Sequence, residues 1–393
     1  MNTDIKTIKP KTLAYFESNP LTLKRASQPK VSIIIPVYNQ IVYTLNCLYS
    51  IKEECEKNNV EVIVINDCST DDTLERLNTI EGISVITNEE NLGFLKNINK
   101  GIAAAKGDYV LLLNNDVIVL PNLLKEMFSV FESRNNVGAV GAMGIHPSGV
   151  LLEAGSTIYS DGGVDNIGRE NSLENPKNHF LKKVDYCSGY CLLIKRFFPD
   201  NKLVQLDEFF LPAYYEETDL CMQIRHTYGL DIYYQPFAKL IHFESMSYGK
   251  EVTDKKRKLV DKNKINFYKK WQSVLDKSPY QKTRLNQKYL NKNYIGEKLL
   301  VLEDALTPQL LEEIIAKDCT SFKVAIILKN KSNLKNIEKW QRLGVEIVYP
   351  YVSKDNETLS FLNSVKFMAP GFDRIETKSI KNKFYFYLKS FNK

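Results

Sequence analysis

Nowhere in the sequence do 18 apolar residues run together, so no segment of it reads as a membrane-spanning helix. The amino-terminal stretch MNTDIKTIKPK carries charge but no apolar h-region, and no secretory leader is expected. The cysteines (Cys47, Cys55, Cys68, Cys187, Cys191, Cys221 and Cys319) are odd in number and scattered, and Cys187 and Cys191 lack a second pair at zinc-finger spacing. A reduced, cytoplasmic chain is expected, rather than a disulfide framework. No GxGxxG follows the first apolar run and no GxxxxGK[ST] occurs anywhere, which excludes a dinucleotide fingerprint and a P-loop. The four histidines fall in no Ser-His-Asp order. A net charge of +6 is modest for 393 residues. It permits an acidic lipid or phosphate-bearing partner without demanding one, and no nucleic-acid partner is expected.

What is present is an alternation of short apolar runs and helical patterns. VSIIIPVYN from Val31, EVIVI over 61–65, Ile83–Thr87 and Tyr109–Leu113 have strand length and apolar character. Between them, 44–56, the stretch after Thr73, and 95–105 have helical spacing. Ser69 or Thr70 is placed to cap the second of these helices. Such alternation implies an α/β, doubly wound sheet with parallel strands. Residues 146–180 read as irregular loops or a short hairpin, and 231–234 and 238–243 as two short strands. At a prior of about 150 residues per domain the length suggests roughly two domains. The expected boundaries are an extension over 1–30, a main domain over 31–250, a basic helical linker over 251–295, and a small Rossmann-like α/β unit over 296–393. In the basic stretch Leu259, Ile265, Phe267 and Trp271 form the expected apolar stripe, and the charges a solvated face. Thr307 followed by Pro308 is a sound helix start.

The run YVLLLNNDVIVLP, residues 109–121, organises the rest. An apolar strand stops at Asn114-Asn115-Asp116, and in open α/β sheets ligands gather at the carboxyl ends of the strands. Asn39, Asp67 and Asn91 stand at the ends of the other three strands. Singly, each is a plausible turn or cap residue. Together they would converge on one edge. His242 ends the run AKLIHF, and a histidine beside a carboxylate suits Mn²⁺.

These stretches also resemble a known family. SIIIPVYN (32–39), NDCSTDDT (66–73), NLGFLKNINKG (91–101), LLNND (112–116), YYEETDL (214–220) and the His242 strand occur in the order found in family 2 glycosyltransferases. The stretch 141–163 resembles members that build O-antigen, capsule or other bacterial surface polysaccharides. The resemblance implies the GT-A fold, a doubly wound mixed sheet of Rossmann-like, nucleotide-sugar-binding type, and an inverting, metal-dependent transfer. Pro36, Val37, Tyr38 and Asn39 would line the nucleotide, Asp67 would accept a hydrogen bond from its base, and Asn91 and Gly93 would border the donor. Asn115 and Asp116 occupy the DxD-type position, with Asp116 and His242 as ligands of Mn²⁺ or Mg²⁺. Glu217 falls at the catalytic base, where the family usually has Asp, with Asp219 a competing candidate. Tyr186, Ser188, Gly189 and Glu216 would face the acceptor.

The implied donor is a UDP- or dTDP-linked sugar, and the implied acceptor a glycan or lipid-linked oligosaccharide. The single carboxylate of Asn-Asn-Asp and the Glu in place of Asp motivate an alternative, a weakly active GT-A module that binds nucleotide sugar or glycan and scaffolds a partner transferase. EKLLVLEDALTP (297–308) resembles the start of a two-Rossmann transferase, without the glycine-rich turn. The tail KNKFYFYLKSF (381–391) alternates basic and aromatic residues and could rest on the inner face of the cell membrane.

Overall fold

The computed structural model describes residues 8–173, 175–244, 254–277, 298–302, 305–328, 337–348 and 373–377. The chain divides into two units, one of Met1–Ser172 with Val184–Lys282 and the other of Leu173–Lys183 with Thr283–Lys393.

In the first unit, α1 (Leu13–Ser18) precedes β1 (Val31–Val37), α2 (Ile41–Ser50), α3 (Lys52–Lys57) and β2 (Val60–Asn66). Then come α4 (Thr73–Leu77), β3 (Ile83–Thr87), α5 (Gly93–Ala104), β4 (Tyr109–Leu113), β5 (Val117–Val119), α6 (Leu123–Ser133) and β6 (Val137–Ile145). The region expected as irregular loops or a short hairpin holds β7 (Leu151–Glu153) and such a hairpin, formed by β8 (Ser156–Ile158) and β9 (Val164–Asn166). After β10 (Lys182–Val184) follow β11 (Cys191–Lys195), α7 (Glu216–Met222), β12 (Asp231–His242) and α8 (Asp254–Leu275). The pair of short strands expected after 230 is one strand, irregular in register between Gln235 and Lys239.

The sheet runs β12-β6-β11-β4-β1-β2-β3. β1, β2, β3 and β4 are parallel. β11 enters antiparallel to both β4 and β6, and β6 and β12 are parallel to each other. The sheet is therefore mixed rather than wholly parallel. β1, β2 and β4 are apolar on both faces because helices cover both, so their sequences read as unbroken Val/Ile/Leu runs. α5 turns Leu95, Ile98 and Ile102 inward, and a Cβ on Gly101 would lie 2.3 Å from Cγ2 of Ile34. Only glycine lets this helix approach so closely.

The basic helix α8 is part of this unit rather than a free linker. Phe267, Trp271 and Leu275 are buried, whereas Ile265, expected in the apolar stripe, is 55% exposed. The Asn263 side chain donates to the carbonyls of Phe210, Ala213 and Tyr214 at 2.7, 2.8 and 3.0 Å. Asp219, without solvent exposure, accepts from Lys270 Nζ at 2.8 Å, Trp271 Nε1 at 2.7 Å and Gln223 Nε2 at 2.7 Å. Asp219 thus ties α7 to α8 and is not a competing base. Asp219→Ala strands a buried indole N–H and half of the Lys270 ion pair. It should cost about 3 kcal/mol in urea unfolding, and an unchanged midpoint would remove this role.

The second unit has a parallel sheet, β15-β14-β13-β16, made of β13 (Leu299–Leu302), β14 (Val324–Ile327), β15 (Glu346–Val348) and β16 (Arg374–Glu376). With it are α9 (Pro308–Ala316) and α10 (Ile337–Leu343). Thr307 caps α9 as expected, its hydroxyl accepting from Leu310 N at 3.2 Å. Val301, Ile314, Ile326 and Trp340 pack into one core. Residues 173–183 also belong here: Leu181 N donates to the Gln341 carbonyl at 2.9 Å and Lys183 Nζ to Ser321 Oγ at 2.8 Å. The basic-aromatic tail, 381–391, lies outside the described residues. Among the described residues no helix is long and apolar enough to cross a membrane.

Candidate donor and acceptor site

A cavity of about 850 Å³ opens in the first unit where β1, β2 and β4 end. Parallel strands bring their carboxyl ends to one edge, which is why residues far apart in sequence meet there. Pro36, Val37, Tyr38, Asp67, Asn91 and Gly93 line one part of it. Asn115, Asp116, His242, Ser188, Gly189, Glu216 and Glu217 line it too. Two expected residues are absent from the wall, Asn39 and Tyr186.

Asn39 is used elsewhere. It and Gln40 have φ of 56° and 60°, and its side-chain oxygen accepts from Thr70 N at 2.7 Å. Its own N–H goes to Ser69 Oγ at 2.9 Å. Ser69 therefore pins the β1 turn and does not cap α4. Asp72 is the N-cap residue of that helix and makes no side-chain cap bond. Tyr186 is buried beneath the cavity, and that burial holds its phenol proton firmly.

Asp67 shapes the wall it belongs to. Oδ1 accepts from Leu92 N at 2.7 Å and Asn88 Nδ2 at 2.9 Å, and Oδ2 from Gly93 N at 2.9 Å. A carboxylate at the start of α5 satisfies amides the helix cannot pair itself. Lys100 extends the network, giving its ammonium to Asn88 Oδ1 at 2.6 Å. Oδ2 keeps a free lone pair on the cavity side.

Asp116 and His242 meet through strand register. β5 pairs antiparallel with β12, placing His242 opposite Val117, and Phe243 N donates to the Asp116 carbonyl at 2.9 Å. Asp116 Oδ1 then lies 3.2 Å from His242 Nε2, yet it is buried and without a hydrogen bond. Asn115 is held to Thr44 Oγ1 at 3.0 Å, and Asn114 Nδ2 is 3.5 Å from His242 Nε2. An orphaned buried carboxylate oxygen facing an imidazole nitrogen is a costly apo arrangement. Two donors each about 2.1 Å from one octahedral cation lie about 3.0 Å apart, so this pair fits Mn²⁺ or Mg²⁺. Among the described residues no third His, Cys, Asp or Glu joins them. Substrate oxygens and water would complete any such shell.

The carboxylate pair opens α7. Tyr214 and Tyr215 precede it with φ of 76° and 75°. Such backbone is strained for bulky residues. It is held by Asn263 and by the Tyr215 hydroxyl, which donates to the Gly162 carbonyl at 3.0 Å. Burial raises the proton affinity of both Glu216 and Glu217. Glu216 is raised furthest, by burial and then by the Glu217 charge, and its Oε2 has no partner. The Gly189 N–H favours the ionised form of Glu217. Glu216 is therefore the harder of the two to ionise, and Glu217 the better base.

Sequence reasoning missed Glu153, which closes β7 with no exposure and sits under Ser188. Its one signal was an acid inside an otherwise apolar strand, VLLEAG. The cavity's cations, Arg169 and Lys256, were also missed. Arg169 makes a two-pronged ion pair with Glu244 at 3.1 and 2.8 Å.

A family model described as glycosyl transferase family 2 matches residues 32–200. An uncharacterised protein, y4gI, of Sinorhizobium fredii is 31% identical over 243 residues, 58% of this chain and 26% of that protein. An uncharacterised glycosyltransferase of Haemophilus influenzae is 34% identical over 118 residues, 29% of this chain and 36% of its own length. The chain thus spans about a quarter to a third of these relatives. The crystal structure of GalNAc-T7 with UDP, GalNAc and Mn²⁺ superposes with a TM-score of 0.49 at 14% identity, over 63% of this chain and 50% of that one.

Proposed function

Since the chain carries a glycosyl transferase family 2 domain over residues 32–200, we propose that it moves a sugar from a nucleotide diphosphate to a hydroxyl of a glycan or lipid-linked acceptor, with inversion. The observation that carries this reading is the convergence of Asp67, the Asp116–His242 pair and Glu217 on one cavity. Asp67 has a lone pair for a base N–H, as a uridine or deoxythymidine ring presents. Asp116 and His242 would hold a divalent cation, which when bound offsets the charge of the departing diphosphate. Glu217 takes the proton of the acceptor hydroxyl as its oxygen bonds to the anomeric carbon. The carbon–oxygen bond to the diphosphate breaks on the opposite face, and the nucleotide diphosphate leaves with the bonding pair. Gly189 N–H favours the ionised, proton-accepting form of the Glu217 carboxylate. The resemblance of 141–163 to surface-polysaccharide enzymes supports a polysaccharide acceptor.

The test is calorimetric titration of UDP, then dTDP, into the full chain with and without Mn²⁺. Saturable binding of one nucleotide, tightened by Mn²⁺, is expected and identifies the base. No binding of either would turn the reading toward a glycan-binding module that scaffolds a partner transferase.

A further inference from the structure

Glu153 is a fully buried carboxylate with no role in the steps above. Its Oε1 accepts the Ser188 backbone N–H at 3.0 Å, and its Oε2 accepts the Ser188 hydroxyl in a short bond. The next amide, Gly189 N–H, favours the ionised form of Glu217. Two successive residues of one loop thus face two carboxylates, Glu153 buried under Ser188 and Glu217 in the cavity wall. The loop also rests on the stem of Glu217: a Cβ built on Gly189 would lie 3.6 Å from Glu217 Cβ and 3.5 Å from Phe94 Cζ.

We propose that Glu153 is a positioning residue for the transfer, fixing both donors of Ser188 so that the Ser188–Gly189 loop sets Glu217 against the acceptor hydroxyl. The inference rests on the reading of Glu217 as the base. Burial pushes the Glu153 carboxyl up to about 7, with the Glu217 charge adding to it and the Ser188 and Ser156 hydrogen bonds opposing it. The other titratable groups around it are Tyr186, Tyr190, Tyr234, Cys221 and Arg169. Stability alone would favour an amide or an apolar side chain here. Both oxygens accept most strongly in the ionised form. Protonation weakens them as acceptors, so the hold on the loop weakens as pH falls through about 7.

The experiment compares wild type, Glu153→Gln and Ser188→Ala as full chains. Release of UDP from a panel of UDP-hexoses with water as acceptor is followed from pH 5.5 to 9, alongside UDP–Mn²⁺ affinity and Tm. For Glu153→Gln, turnover should fall about tenfold or more, since ångström-scale misplacement of a reacting group costs up to about a hundredfold. UDP affinity should hold, Tm at pH 8 should not drop, and an inflection near pH 7 in the wild-type profile should vanish. Ser188→Ala should lose turnover in the same way. Unchanged turnover in Glu153→Gln would overturn the positioning role and leave the base reading intact. Turnover, Tm and UDP affinity falling together would also overturn it, since Glu153 would then be a prop of the fold. A wild type that releases neither UDP from these sugars nor dTDP from the matching dTDP-hexoses would overturn the transferase reading, and this inference with it.

Discussion

Glu217→Gln is expected to lower turnover by about 10²–10⁴-fold, the usual worth of a positioned general base, with nucleotide affinity close to wild type. The amide has the same shape, and its oxygen can still face the Gly189 N–H. What it cannot do is accept a proton. Donor affinity should survive because the bonds of Asp67 and the Asp116–His242 pair do not involve Glu217. A smaller loss would point to Glu216 taking over the proton. The Glu217 charge adds to burial in raising the Glu216 carboxyl, so neutralising Glu217 makes Glu216 easier to ionise. The double variant Glu216→Gln, Glu217→Gln separates the two. The base also sets the acid limb of the pH profile: its carboxyl is raised above the ordinary value of 4.5, so turnover is full above the raised value and lost as pH falls through it. Glu217→Asp tests geometry alone. It draws the carboxylate back by one carbon–carbon bond, about 1.5 Å, and a shift of that size should cost about a hundredfold.

Strand ends and the parallel half of the sheet were legible in the sequence because a doubly covered sheet demands apolar strands and sends their carboxyl ends to one edge, whereas the antiparallel entry of β11 leaves no such mark and only the family resemblance implied a mixed sheet. Asp67, Asp116 and His242 could be placed on that edge by counting residues, and the β5–β12 register brings the last two within 3.2 Å. Asn39 misled because an asparagine at a strand end serves a ligand or a turn equally well, and here its φ of 56° commits it to the turn. Tyr186 misled because neighbours in a chain alternate between wall and underside, and it took the underside. Asp219 looked like a third acid of the α7 cluster until its partners on α8, more than 50 residues away, were seen. Glu153 was hidden for the same reason: its meaning lies wholly in a loop 35 residues on. The transfer of 173–183 to the second unit leaves no mark in composition.

Asp116→Ala is expected to weaken Mn²⁺-dependent nucleotide binding on the order of a hundredfold, the upper end of what changes merely adjacent to metal ligands cost. The same substitution should not destabilise the apo protein. Asp116 Oδ1 is buried without a hydrogen bond, and an unpaired buried carboxylate oxygen is a liability whose removal is neutral or favourable. The two effects have opposite signs, which makes the pair diagnostic. In wild type, UDP and Mn²⁺ at about 100 times their dissociation constant should stabilise the fold by about 2.7 kcal/mol. In Asp116→Ala most of that shift should vanish while the apo Tm stays level or rises. A structural aspartate would behave the other way, losing apo stability and keeping the ligand-induced shift. His242→Ala should weaken the Mn²⁺ effect less, since it removes a neutral ligand and leaves the charge. Its ring also packs against Tyr190 at 4.9 Å, so some apo stability should go with it. If both variants keep the full Mn²⁺-dependent shift, the cation is held elsewhere and the orphaned oxygen of Asp116 is a cost of the fold.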